Sequence, residues 1–329
     1  MKLREAAALS SFLFVGSSVL GLASAELPAV DGYLQTRFDS TGDNAGFSIR
    51  RAKLWFAGPV PGDLGFSYKL QGVYRSSLDT GFYVQDVYLQ KQIPSFLFRG
   101  GRFVPDFSLQ RLQPDSFIPV LERALVINRF SFGHDGSGRE AGAQTSYETK
   151  NKLFYLSAGA FNGNQNVPGN NTGTNLLYVT KAASRLLKNS GSIINLEASF
   201  AARHINNGSL FPLTASTSPV SGSDVRTAFS LSMKHGPFEA QGEYLNAESA
   251  GRKSWGYYAY AADKVYGRFQ ALGQVEANAA LGEPSQHWAS FGLNYLFSEK
   301  NKIMSDYRFR TDIGKKNPKF RIQYQMFLF

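Results

Sequence analysis

The sequence predicts an all-β protein, a transmembrane antiparallel β-barrel of about 16 strands in the outer membrane of a bacterium. Two observations and one physical constraint support this fold class. The chain ends in FRIQYQMFLF, a strand-like run that closes on Phe329, and aromatic residues at the membrane interfaces are typical of such barrels. After Glu26 no apolar stretch is long enough for a transmembrane helix. A closed barrel is the other structure that crosses lipid with every backbone polar group paired.

Residues 1–25 have the pattern of a secretory signal peptide. Lys2 and Arg4 precede an apolar stretch, and the small-x-small cleavage pattern Ala23-Ser24-Ala25 follows it. The apolar stretch is shorter than a bilayer span requires. We therefore expect cleavage before Glu26, so that residues 26–329 form the barrel. An N-terminal membrane anchor is the alternative.

Alternating polarity and turn signals divide the remaining chain into candidate strands. Short connections rich in Gly, Pro, Asn and Ser, such as 58–62 and 298–301, alternate with longer ones such as 162–174. This alternation is typical of periplasmic turns and extracellular loops. The predicted strands are 33–39, 46–57, 63–73, 82–91, 96–103, 138–148, 152–161, 175–187, 192–203, 224–234, 237–247, 252–262, 266–276, 287–297, 301–310 and 320–329.

The segment 104–137 is too long for a plain connection between two strands, and loops of this length are usually functional. Many of its residues are apolar, among them Phe107, Leu109, Val126 and Phe130. Such a composition suits a segment that packs inside a barrel. We predict a constriction loop that folds into the lumen, with an extracellular lid or an adhesion loop as the alternative.

Composition narrows the possible functions. The chain has no cysteine, which excludes disulfides, a thiol nucleophile and a Cys-ligated metal, and nothing in it indicates a cofactor. Its formal net charge of +10 suits nucleic acid, an acidic membrane surface or small anions as partners. Export to the outer membrane argues against nucleic acid. Outer-membrane lipid and the phosphates of lipopolysaccharide are therefore expected partners, together with small inorganic anions.

Strand alternation predicts which basic side chains line the lumen. Ala52, Leu54 and Phe56 should face lipid, which turns Arg51 and Lys53 inward. Basic linings select anions, and the guanidinium fork of arginine binds phosphate oxygens in pairs. Inward acids will pair with some of these cations, so a salt-bridged wall residue is the alternative at any one position. The predicted anion pathway comprises Arg51, Lys53, Lys69, Arg99, Arg102, Arg111, Arg123, Arg129, Arg139 and Arg226. The same alternation turns Arg203, Lys234, Arg268, Lys302, Arg308 and Arg310 inward.

Catalysis is not predicted. The four histidines fall in or near loops and turns, without the spacing of metal ligands. His287 and Ser290 form the one Ser–His pair near a single strand, and they are the only support for a barrel enzyme.

Four segments resemble the phosphate-selective porin O and P family, in the order of that family. They are FSIRRAKLWFAG at 47–58, GGRFVPDFSLQRL at 100–112, VLERALVINRF at 120–130 and GREAGAQTSYE at 138–148. The resemblance implies a 16-stranded, usually trimeric porin whose anion pathway is lined by arginines and lysines and narrows at the third loop. The residues at matching positions are Arg50, Arg51, Arg102, Glu122, Arg123 and Arg139.

Taken with the positive charge, the resemblance predicts a passive channel that prefers small anions, with phosphate or polyphosphate as cargo, and a homotrimer. Two departures bear on phosphate selectivity: Asp106 interrupts the Pro-Phe pair of the family pattern, and Gln110 replaces its acid. The alternatives are a general porin with little charge preference and a structural or adhesive barrel that the long loop plugs.

Overall fold

The computed structural model is a closed barrel in which each strand pairs antiparallel with its neighbours in sequence, and β1 pairs with β16. The structure describes residues 28–328 except 43, 63, 77–80, 134–136, 164–174, 189–190, 209, 211, 214–217 and 313–317. The predicted signal peptide and Phe329 lie outside the described residues. The strands are β1 (Ala29–Thr41), β2 (Asn44–Pro59), β3 (Phe66–Tyr74), β4 (Phe82–Ile93), β5 (Phe96–Phe103), β6 (Glu140–Glu148), β7 (Phe154–Phe161), β8 (Leu177–Lys188), β9 (Ser192–Gly208), β10 (Val220–His235), β11 (Phe238–Ser249), β12 (Arg252–Tyr266), β13 (Phe269–Ala279), β14 (Gln286–Leu296), β15 (Lys302–Arg310) and β16 (Lys319–Phe327).

The predicted fold class and strand count are confirmed. β9 and β10 are both longer than predicted, because their ladder continues past the predicted ends to the pair Gly208 and Val220. Turn-like residues in this region led to shorter predicted strands, whereas backbone pairing between neighbours extends them. Pairing outweighs local composition here because it satisfies the backbone N–H and C=O groups.

Side chains alternate between an apolar outer face and a polar inner face. On β16, Ile322 and Tyr324 are exposed on the outside, whereas Gln323 and Gln325 are buried inside. This is the pattern of a barrel that faces lipid outside and water or polar groups inside. Arg268, which was predicted to face inward, departs from this pattern, because it is exposed in the turn between β12 and β13.

The connections define two ends of the barrel. Those after even-numbered strands, such as 94–95 and 236–237, are short, and we call their end the turn end. Those after odd-numbered strands lie at the loop end, where 104–139 is by far the longest. Two connections at the loop end, 42–43 and 250–251, are as short as the turns.

The segment 104–139, which we call the long loop, contains two short helices, α1 (Leu109–Leu112) and α2 (Leu125–Arg129). Its apolar side chains pack inside the barrel against residues of β5 and of β7 to β13, and α2 contacts β12 and β13. The hydrophobic cluster of the protein therefore lies between the loop and this part of the wall. Among the described residues, no helix has the length and hydropathy needed to cross a membrane.

Gly101 on β5 is required by close strand packing. Its φ of +133° disfavours side chains, and a Cβ there would lie 2.3 Å from the carbonyl oxygen of Val87. We predict that Gly101→Ala lowers the folded fraction, since such backbone strain alone costs about 1–3 kcal/mol. The measurement is the heat-modifiable gel mobility of protein refolded in detergent.

The matched control is Gly100→Ala on the same strand, where a Cβ would meet nothing within 4 Å. This variant should fold like the native chain. Equal folded fractions for the two variants would contradict the prediction.

Candidate functional site

A cavity of about 680 Å³ lies between the long loop and the inner faces of β1 to β8. Its lining reaches from Ser95 at the turn end to Val104, where the long loop begins, and so follows the full length of β5. At about 3.3 Å per residue this is roughly 30 Å along the strand, and a tilted strand crosses the bilayer core with about 9–11 residues. The cavity thus has the extent of a passage along the barrel.

Two wall carboxylates hold the helices of the long loop. Glu243 on β11 accepts hydrogen bonds from the backbone N–H groups of Leu109 at 3.1 Å and Gln110 at 3.3 Å. Glu276 on β13 accepts one from the N–H of Leu125 at 2.5 Å. These N–H groups open α1 and α2 and have no partner within the helices, so a carboxylate stabilises each helix start.

Further wall side chains bind the backbone between the two helices. Asn294 donates to the carbonyl oxygen of Pro119 at 2.8 Å, and the ammonium of Lys302 donates to that of Ile118 at 3.0 Å. Gln325 donates to the carbonyl oxygen of Ser116 at 3.0 Å. These hydrogen bonds fix the backbone of the loop to β11 and β13–β16, whereas the cavity lies along the inner faces of β1 to β8.

Arg226 anchors the end of the long loop. It is 0% exposed, and its guanidinium donates to both oxygens of Asp224 and to the carbonyl oxygens of Phe130 at 2.9 Å and Ser131 at 3.2 Å. It also lies 4.6 Å from the ring centroid of Phe132. Arg226, predicted as a residue of the anion pathway, is therefore covered by loop backbone and does not line the cavity described above.

Glu122 of the long loop gathers three arginines. It forms ion pairs with Arg37 at 2.5 Å, Arg51 at 3.3 Å and Arg50. Burial by itself would raise the pKa of Glu122, but the charges of Arg51, Arg50 and Arg37 together lower it well below its usual value. This carboxylate therefore stays ionised in acid.

A β-bulge explains how two consecutive arginines reach the same carboxylate. The register between β1 and β2 passes from Gln35 opposite Arg51 to Thr36 opposite Ile49, which leaves Arg50 as the extra residue. In a regular strand Arg50 and Arg51 would face opposite sides. The bulge turns both toward Glu122.

Asp115 is a second centre of ion pairs on the loop. Its carboxylate pairs with Lys53 at 2.7 Å, with Arg51 at 3.3 Å and with Arg123. Arg123 also donates to the carbonyl oxygen of Gln110 at 2.9 Å and to another loop carbonyl. Burial, together with the nearby charges of other arginines, lowers the pKa of Arg123. Arg123 therefore braces the loop at the edge of the cavity.

The cavity brings together six of the ten predicted pathway residues: Lys53, Lys69, Arg99, Arg111, Arg123 and Arg139. Lys181 and Lys300 also line it, which makes eight basic side chains against five acidic ones, Asp31, Asp86, Asp106, Asp115 and Glu148. Asp86 is shared by Arg139 at 2.8 Å and Lys69 at 3.8 Å. The lining is positive by charge count.

Three further predicted residues lie elsewhere. Arg102 lies four residues after the exposed Phe98 on β5 and therefore shares its face. It pairs across from the exposed Val87 and donates to the carbonyl oxygen of Val84 at 3.2 Å, so it is on the outer face. Arg129 pairs with Glu283 at 3.1 Å, away from the cavity. Arg51 is buried between Glu122 and Asp115 instead of lining the cavity. The predictions for Arg102 and Arg129 as lining residues are therefore wrong.

The Ser–His pair on β14 does not form. The ring of His287 bonds the hydroxyl of Ser285 at 3.2 Å. Ser290 is three positions further along the strand and so points to the opposite face. The geometry gives the barrel-enzyme alternative no support.

Several basic residues of the lumen are absent from the lining predicted by alternation, among them Arg37, Arg50, Lys181, Lys300 and Arg321, although the family resemblance names Arg50. Alternation from the inward Tyr33 and Gln35 could have found Arg37, and the same rule applied to β8 could have found Lys181. Arg50 has no such signal because the bulge reverses its direction. Lys300 sits in the turn between β14 and β15, where alternation does not apply.

Comparison with known proteins identifies the family. The model of the family described as phosphate-selective porin O and P matches residues 30–319. The chain belongs to this family. It is an outer-membrane porin, as predicted, and the turn end and loop end of porins face the periplasm and the outside respectively. None of the proteins with curated descriptions matches the chain.

Solved structures of other porins share the fold of this porin. OmpT of Vibrio cholerae, folded in vitro and in its trimer form, is 14% identical with a TM-score of 0.63, covering 92% of this chain and 100% of OmpT. OmpF of Salmonella typhi in complex with daunomycin is 11% identical with a TM-score of 0.66, and the match covers 91% of this chain and 97% of OmpF. An anion-selective porin from Comamonas acidovorans is 13% identical with a TM-score of 0.60, and the match covers 91% of this chain and 98% of that porin. At these identities the likeness shows the fold alone.

The ion pairs of Glu122 predict how the porin responds to acid. Because the pKa of Glu122 is lowered, their contribution is complete above the ordinary carboxyl range near pH ~4 and is lost as pH falls through the lowered value. Glu122→Gln should loosen the loop already at neutral pH, since removing one partner of buried ion pairs costs about 3–5 kcal/mol. Single-channel recordings should show rapid flicker in this variant at pH 7.

Glu283→Gln is the control, because Glu283 makes one partly exposed ion pair with Arg129. Its currents should be as quiet as those of the native porin. Quiet currents from Glu122→Gln at neutral pH would contradict the anchoring role.

Proposed function

We propose that this porin conducts small anions in preference to cations, with phosphate or polyphosphate as cargo, and that the cavity along β5 is the pathway. The observation that carries the proposal is the excess of basic over acidic side chains in a single continuous lining. A narrow water-filled passage with walls of one sign concentrates ions of the other sign. The net charge of the chain alone would not support an anion preference, because the preference depends on which charges line the passage.

Phosphate fits a cluster of three guanidiniums, Arg111, Arg123 and Arg139, which line the cavity where the long loop crosses it. The side chain of Arg111 lies directly against the backbone of Gly138, the residue before Arg139, where an added Cβ would clash with the guanidinium. Arginine offers paired N–H donors to phosphate oxygens. Asp86 and Asp115 beside the cluster would weaken binding, and moderate binding favours release and conduction.

A homotrimer is part of the proposal, as are contacts with outer-membrane lipid and lipopolysaccharide. Support comes from family membership and from the trimer form of Vibrio OmpT. The outer face offers exposed aromatic and aliphatic side chains, including Phe96 and Phe98, that suit lipid or another subunit.

A general porin with little charge preference is the second candidate, and a specific observation favours it. Arg139, Lys53 and Arg123 each pair with an aspartate that also lines the cavity, so local neutralisation could remove the preference. The plugged barrel has less support, because the loop occupies one side of the lumen and the cavity extends along the other. Reversal potentials in a salt gradient separate the first two candidates, and absence of conductance would indicate the third.

The test is a pair of charge removals at the lining, Lys69→Gln and Arg111→Gln, measured as reversal potentials in a potassium chloride gradient. Each should lower the chloride preference by up to about fivefold, since a unit charge at about 4 Å in water is worth about 1 kcal/mol. Millimolar phosphate should reduce the chloride current of the native porin, and of Arg111→Gln less.

Arg129→Gln removes the same charge from the same loop but outside the cavity, and it should keep the native reversal potential. Unchanged selectivity in both lining variants would contradict the proposed pathway.

A further inference from the structure

Four aromatic side chains meet inside the lumen near the turn end. Tyr33 of β1 lies 6.2 Å from Trp55 of β2 and 5.5 Å from Phe327 of β16, measured between ring centroids. Phe117 of the long loop lies 6.0 Å from Phe327. All four line the cavity, and we call them the aromatic cluster.

The positions of the aromatic cluster are unusual for a barrel. The rows that carry these rings are otherwise polar: Tyr33 is followed on the inner face by Gln35, and Phe327 is preceded by Gln325. Rings on the outer face contact lipid, but these rings have no lipid to contact. Phe117 is 47% exposed although it lies within the lumen. With the partly exposed Trp55 and Phe327 beside it, Phe117 forms a contiguous apolar patch in a polar lumen, and such patches mark binding surfaces.

Anchoring of the loop accounts for only part of the aromatic cluster. Contact with Phe327 and Trp55 buries Tyr33 to 3% exposure, as core packing would. The same packing leaves Trp55 and Phe327 half-buried and Phe117 open. The neighbouring apolar side chains Ile118 and Val120 are each only 3% exposed, so anchoring is already served without Phe117, which stays open to the cavity.

Lysine ammoniums lie near the faces of these rings. Lys69 Nζ is 5.7 Å from the ring centroid of Trp55, and Lys300 Nζ is 4.9 Å from that of Phe327. In the described part of the chain, Lys300 Nζ has no carboxylate within ion-pair distance. A planar molecule with a negative group could therefore stack on the rings and place its charge at these ammoniums.

We propose that the aromatic cluster, with Lys69 and Lys300, is a binding site for aromatic carboxylates within the anion pathway. This inference rests on the proposed anion preference and names a class of organic anion that the channel would hold in addition to inorganic ones. The cavity volume of about 680 Å³ is that of a small-molecule pocket. Inorganic anions have no aromatic surface that could stack on the rings, whereas an aromatic carboxylate can stack on the rings and pair its charge with the ammoniums.

The experiment compares benzoate with acetate as blockers of the chloride current through the native porin in a planar bilayer. Benzoate should reduce the current at concentrations at which acetate leaves it unchanged. Phe117→Leu keeps the apolar volume but removes the ring, and it should weaken the block by benzoate about threefold to tenfold. Lys300→Gln should weaken it as well, whereas Arg129→Gln, which lies outside the cavity, should not.

The outcomes separate this inference from the function on which it rests. Equal effects of benzoate and acetate on a chloride-preferring channel would overturn the aromatic site and leave the proposed function intact. Native block in Phe117→Leu would also overturn the site. A native channel without chloride preference would overturn the proposed function itself, and this inference with it.

Discussion

Pairing between β1 and β16 is the constraint on which the rest of the structure depends. Hydrogen bonding runs from Tyr33 opposite Phe327 to Thr41 opposite Lys319, so the sheet has no unpaired edge. In lipid each unpaired backbone group costs several kcal/mol, which makes closure obligatory. Closure also fixes the register, because a slip of one residue would turn every polar side chain of a strand toward lipid.

A closed barrel of this size has a polar interior, and its buried side chains require hydrogen-bond and ion-pair partners. The long loop supplies such partners to the wall and in turn needs the wall to pair its own backbone groups. Its helices have only four and five residues, too few to pair most of their own backbone groups, and the wall binds several of those left over. Glu243 and Glu276 bind the two helix starts, and Arg226 binds the carbonyl oxygens where the second helix has ended. The loop therefore depends on the wall for its conformation.

Sequence reasoning predicted the local features well and the long-range ones poorly. Strand count and facing follow from alternation, which depends only on neighbours along the chain. The alternation rule could have corrected Arg102, because a residue three positions after the inward Arg99 must face outward. Arg50 escapes the rule through a bulge that only the pairing with β1 reveals. The positions of Arg226 and Arg129 could not be predicted for another reason. The facing of a side chain does not show which acid it pairs with, here Asp224 for Arg226 and Glu283 for Arg129.

The arrangement of acids on the wall decides which ions meet the passage. Three wall acids have partners on this side of the lumen. Glu243 on β11 and Glu276 on β13 bind backbone N–H groups of the loop, and Asp224 on β10 binds Arg226, which in turn binds the loop. By binding there, the loop covers these carboxylates and leaves the opposite wall, with Lys53, Lys69, Arg99 and Lys181, along the cavity. The positive lining thus arises from where the loop is bound more than from the net charge of the chain. If the loop were held on the other side, the same residues would form a passage with these acids in its wall.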